Sequence, residues 1–144
     1  MADLLERVVV PVASENDAET SARALARQSY GEAVFVHVVE KAGGAPDKAG
    51  VEQRELEAEE MFEAVRAVLG DVETDIYYGT DVVETIFDAA EDVDASAVVV
   101  VPRGGNRLVQ MVTGDVALRL VTGNDRPVVV LPADEDGEDS EDAT

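Results

Sequence analysis

Gly104 and Gly114 stand ten positions apart, and Asp115 follows the second of them. Glycines let a main chain take positive φ or come close to a ligand. A helix opening at Gly114-Asp115 would add free N–H groups and the positive end of its dipole, which is the chemistry of phosphate binding. Asp115 complicates that chemistry. As a good N-cap it would take those N–H groups for itself and repel a phosphate. At a separation of about 4 Å the repulsion reaches about 4 kcal/mol per unit charge pair at an effective dielectric near 20. Salt or a bridging divalent cation would weaken it. Arg103 and Arg107 could pair with phosphates; read plainly, they are solvated loop arginines paired with surplus carboxylates.

His37 is the only histidine, and it reads as a half-buried structural residue in a β-branched strand. Glu15 and Asp115 are acids near the same loop, but no nucleophile, base and orienting group come together in the pattern, so no catalytic residue is assigned. The chain has no cysteine, which excludes disulfides and thiolate metal sites. No metal site is assigned. Neither G-x-x-x-x-G-K-[ST] nor G-x-G-x-x-G occurs. A phosphorylatable receiver domain would need a lysine after its last strand, and VVVLPADED has none.

The elements that position these residues can be read from periodicity. Arg7 to Val12 is a short apolar strand with Pro11 near its end. Ser14 and Asp17 form a helix-start pattern, and Ala18, Ala22, Leu25 and Ser29 then make one narrow helical face, with Gly31 as its stop. Ala33 to Val39 is a second strand. Glu40 to Gly50, with three glycines and a proline, reads as a surface loop. Val51 to Leu69 is an amphipathic helix with Ala58, Phe62, Val65 and Leu69 inward, ended by Gly70. Glu73 to Tyr78 is a more polar strand, placed near a sheet edge; Tyr77 and Tyr78 alternate across it as packing residues. Asp81 caps a third helix whose inner face is Val82, Ile86, Ala89 and Val93. Val98 to Val101 is a strand buried on both faces. Pro102 ends it, a loop runs to Thr113, a helix follows, and Pro127 to Leu131 is a second buried strand. Strictly alternating β and α implies a parallel sheet with helices on both faces. Ligands of such sheets bind at the carboxyl ends of the strands, where strand order reverses.

The 144 residues fit one domain, with an acidic, disordered tail over 133–144. Acids number 32 against 11 basic residues, and the net charge is −21. Nucleic acid and anionic membrane surfaces are thereby excluded as partners. Only two of the basic residues are lysines, which together with the acidity suits a halophilic cytoplasm. No apolar run approaches a membrane span, and MADLLERVVV is acidic where a signal peptide would be basic. A cytoplasmic, soluble protein is expected.

Over residues 5 to 132 the chain resembles the universal stress protein family. The likeness rests on the strand ending Pro11-Val12, the V-H-V-V of the second strand, the G-T-D start of the third helix, the final P-V-V-V-L strand, and the spacing Gly104-x9-Gly114. The family motif is G-x2-G-x9-G-[ST]; here its first glycine is Val101 and its hydroxyl residue is Asp115. The resemblance implies a single doubly wound, five-stranded parallel α/β sheet in the order 3-2-1-4-5, Rossmann-like. It implies a nucleotide site in which adenine lies against Val12 and Val38, and phosphates and ribose rest on the backbone at Val101, Gly104, Gly114 and Val116. Pro11, Ala13, Val100, Arg103 and Asp115 complete the set; Ala13 stands where ATP-binding members carry an aspartate. It further implies a homodimer joined along the last strand, through Pro127, Val128, Val129, Val130 and Leu131. Two functional expectations stay open: a non-catalytic stress-response module that does not hold ATP tightly and acts through an unknown protein partner, or a sensor that binds ATP or AMP, with magnesium, at the Gly104–Gly114 loop.

Overall fold

The computed structural model describes residues 4–40, 48–101 and 126–133. Eight elements follow one another there: β1 (Arg7–Pro11), α1 (Glu15–Ala26), β2 (Glu32–Glu40), α2 (Lys48–Leu69), β3 (Glu73–Gly79), α3 (Val82–Asp92), β4 (Ala97–Val100) and β5 (Val128–Val130). The loop expected over 102–113, the helix expected from Asp115, and the tail from 134 onward lie outside the described residues. The strands form one parallel sheet in the order β3-β2-β1-β4-β5, as expected. The polar strand β3 occupies one edge.

Valine-rich strands suit this sheet because both faces are covered. Side chains alternate with period two. Val8, Val10 and Val12, with Phe35, Val99 and Leu131, therefore face α1 and α2. Val9, Val34, Val36, Val98 and Val100 face α3. The inward residues of α1 are Ala18, Ala22, Ala24 and Leu25; small side chains let it lie close on the strands. Phe62 and Val65 of α2 and Ile86 and Phe87 of α3 supply the bulk.

Helix starts follow their caps. The Ser14 hydroxyl accepts from the Asp17 amide at 3.0 Å, and the Asp81 carboxylate accepts from the Glu84 amide at 3.0 Å. Gly70, at φ +82°, ends α2 with its amide on the Arg66 carbonyl.

Four expectations need correction. The first helix stops at Ala26, where the Arg27 amide tightens onto the Ala24 and Leu25 carbonyls, so Ser29 is an exposed residue beyond it. Gly31 is therefore no helix stop. It is needed because a Cβ there would overlap the Glu6 carbonyl oxygen, while its own amide donates to Leu5. The second helix begins at Lys48, three residues early, inside the expected loop. The last strand is not buried: Val130 is 55% exposed, because β5 has a strand on only one side among the described residues.

Candidate functional site

Strand order reverses between β1 and β4, which fixes the crevice at their carboxyl ends. Pro11 and Val12 close β1 and are buried; Ala13, half-exposed, leads into the Ser14 cap of α1. Val100 and Val101 close β4, exposed 0% and 1%. Val100 packs on the α3 side and Val101 among the residues facing α1 and α2. The Val101 side chain is thus a core group. Replacing it by glycine would remove packing as well as open the backbone. Of the expected site residues, Arg103, Gly104, Gly114, Asp115 and Val116 lie outside the described residues.

The ladder between β1 and β2 ends in an informative way. Its rungs pair even-numbered residues: Glu32 N–H donates to Glu6 at 2.8 Å, and Val12 N–H donates to Val36 at 2.9 Å. The register runs from Arg7↔Glu32 to Pro11↔Val36 and stops. β2 continues for four more residues, paired only with β3 on its other side. Main-chain groups of one strand alternate in direction. The N–H and C=O of Val38 therefore point the same way as those of Val36, into the gap beyond the end of β1. A donor and an acceptor stand side by side there. Val12 is buried on the α1 and α2 side of the sheet, and Val38 is half-buried on the α3 side.

His37 is half-buried, as expected, and its Nδ1 lies 3.0 Å from the Val12 carbonyl oxygen. A carbonyl only accepts, so Nδ1 carries the proton. The structural role expected of His37 thus takes the form of a hydrogen bond to a residue 25 positions away, which no local sequence signal announces. Glu15 and Asp17 occupy the first turn of α1, next to its N-terminus. Among the described residues no group of three or more acids or histidines could hold a metal ion.

Two tyrosines of β3 differ in setting. The Tyr77 hydroxyl donates to Asp92 at 3.2 Å. Burial, then the Asp92 carboxylate, push its pKa up to about 12. The Tyr78 hydroxyl is sealed from solvent; burial first and Glu55 second raise its pKa, with Arg54 acting the other way.

A parallel sheet in this strand order, with helices on both faces, defines a doubly wound, Rossmann-like α/β architecture. The family model described as the universal stress protein family matches residues 5–132, and the chain belongs to that family. No curated protein matches it. Among solved structures, universal stress protein UspA from Lactobacillus plantarum is 23% identical, with 90% of this chain and 99% of that one covered and a TM-score of 0.61. A universal stress protein from Archaeoglobus fulgidus, in complex with dAMP, is 19% identical, covered 90% and 99%, with a TM-score of 0.56. A universal stress protein in complex with cAMP is 15% identical, covered 90% and 98%, with a TM-score of 0.59. These likenesses carry the fold. No helix among the described residues is long and apolar enough to cross a membrane.

Proposed function

We propose that this protein is a non-catalytic, cytoplasmic stress-response module that acts as a homodimer on a protein partner and does not hold ATP tightly. Family membership supports the stress-response reading. The observation that carries the weak hold on ATP is Ala13: at the exit of β1, where the resemblance places a nucleotide-fixing aspartate, there is a half-exposed methyl group. The acids of the α1 first turn and Asp115 in sequence add repulsion to a triphosphate. The large acidic excess suits high salt, where such repulsion is screened. Calorimetric titration of ATP in molar KCl with magnesium tests the reading. The expected result is no heat at micromolar ATP, and its appearance in Ala13→Asp/Asp115→Ser. Micromolar binding by the unaltered chain overturns it. Val101→Gly is left out of the restored variant because Val101 is core.

The open edge of Val38 favours a second reading, a sensor of AMP or ATP that reads the base and grips the phosphates loosely. The relatives that hold dAMP and cAMP support this reading for the base. AMP, with fewer charges to repel, would then bind better than ATP.

A further inference from the structure

The register of β1 and β2 sets the next rung in advance. After Val12 N–H to Val36 C=O, a parallel ladder continues with Val38 N–H to Val12 C=O. That rung is missing: the ladder stops at Pro11↔Val36. The Val12 carbonyl is taken by Nδ1 of His37 instead. The reason lies in the turn into α1. Beyond Pro11 the chain leaves the sheet plane for the face covered by α1 and α2. His37, two residues after Phe35, projects from β2 on that same face. The carbonyl moves with the chain and meets the imidazole.

We propose that His37 is a positioning residue: by holding the Val12 carbonyl on the helix side, it keeps the Val38 amide edge open to read an adenine-type base. This inference rests on the base-reading function of the crevice. Without the imidazole, the Val12 carbonyl is a buried acceptor lacking its donor, and the nearest remedy is the Val38 amide. The missing rung then closes, and the reading edge is consumed by the protein itself. A side chain that donates from the same place preserves the open edge. Asparagine does so, because its Nδ2 sits as far along the side chain as Nδ1 of histidine. Leucine fills similar space and donates nothing.

The experiment is hydrogen exchange at the Val38 amide, followed by NMR in molar KCl on the full chain, beside calorimetric titration of AMP. In the unaltered protein and in His37→Asn the Val38 amide exchanges faster than that of Val36. In His37→Leu its exchange slows to that of Val36, and AMP binding weakens roughly three- to tenfold, the worth of one hydrogen bond. A Val38 amide already protected in the unaltered protein overturns the proposal, as does equal exchange in all three proteins. Failure of AMP to bind the unaltered protein removes the base-reading function alone, while the exchange rates still decide what His37 does to the ladder. Should His37→Leu not fold, His37→Ala, which also donates nothing, takes its place: slowed exchange at the Val38 amide upholds the proposal, and exchange as fast as in the unaltered protein overturns it.

Discussion

The hydroxyl of Thr85 stands where a side chain on Gly79 would begin. A Cβ built on Gly79 overlaps Thr85 Oγ1, which is itself fixed by donating to the Asp81 carbonyl at 2.7 Å. Glycine is needed at the end of β3 because the first turn of α3 folds back over it. Gly79→Ala is expected to cost about 1–3 kcal/mol, the usual penalty of overpacking. Adding Thr85→Ala removes the overlapping oxygen, so the double variant should recover part of that loss. Urea unfolding of the three variants measures the coupling. Additive costs would mean that the two residues do not meet.

Arg7 ties four elements together at the amino end of the sheet. Its Nε donates to the Val93 carbonyl at 2.8 Å, at the end of α3, and its guanidinium reaches Glu32 at 2.5 Å and Glu73 at 3.2 Å. Both carboxylates are well exposed, so their ion pairs are worth little each. The Val93 contact matters more, because it satisfies a helix-terminal carbonyl. Arg7→Met keeps the apolar stem and should cost about 1–3 kcal/mol, whereas Glu73→Gln should cost under about 1 kcal/mol. Equal losses in urea unfolding would place the worth of Arg7 in its ion pairs.

Much of this was legible in the chain because local pattern and global fold agree. Valine runs gave the central strands, and apolar spacings of four, three and four found Ala58, Phe62 and Val65 of α2 but only Ile86 and Ala89 of the α3 inner face, where Val83, Phe87 and Ala90 are buried and Val93 lies past the helix end. Ser14, Asp81 and Gly70 marked the helix ends that the structure shows. The failures are of two kinds. Ser29 fits the periodicity of α1 yet lies past its end, since a terminal turn tightened at Arg27 and periodicity does not report where a helix stops. Arg7 with Val93, and His37 with Val12, are 86 and 25 residues apart, and nothing local announces such contacts. The open edge of Val38 was beyond reach for a similar reason: it depends on the relative lengths of β1 and β2, which only their register supplies.

Tyr77 predicts an alkaline limit to stability. Its folded pKa of about 12 lies above the ordinary tyrosine value of 10.0. Between the two, the unfolded chain has released the phenol proton and the folded chain keeps it. Stability from this group is therefore complete below pH 10 and falls as pH rises toward 12. Phenolate absorbance should show a late-titrating group that is lost in Tyr77→Phe. The variant should also lose part of the alkaline decline in melting temperature. A titration near pH 10 that Tyr77→Phe removes would mean that Asp92 and burial do not act on this hydroxyl.

The proposed homodimer can be tested without damaging the monomer. β5 carries two kinds of side chain: Leu131, just past its end, is buried at 7% exposure, while Val130 is 55% exposed. A charge at Leu131 would break the core and say nothing about assembly. A lysine at Val130 costs the monomer little, and on a strand edge it opposes pairing with another strand. In a two-fold interface the substitution occurs twice, and the new charges face one another. At about 1 kcal/mol per site the dimer should weaken roughly thirtyfold. Sedimentation in molar KCl should show a dimer for the unaltered chain and a monomer for Val130→Lys, with the same far-ultraviolet circular dichroism. An unaltered chain that sediments as a monomer sinks the dimer. A Val130→Lys variant that stays dimeric moves the contact to another surface.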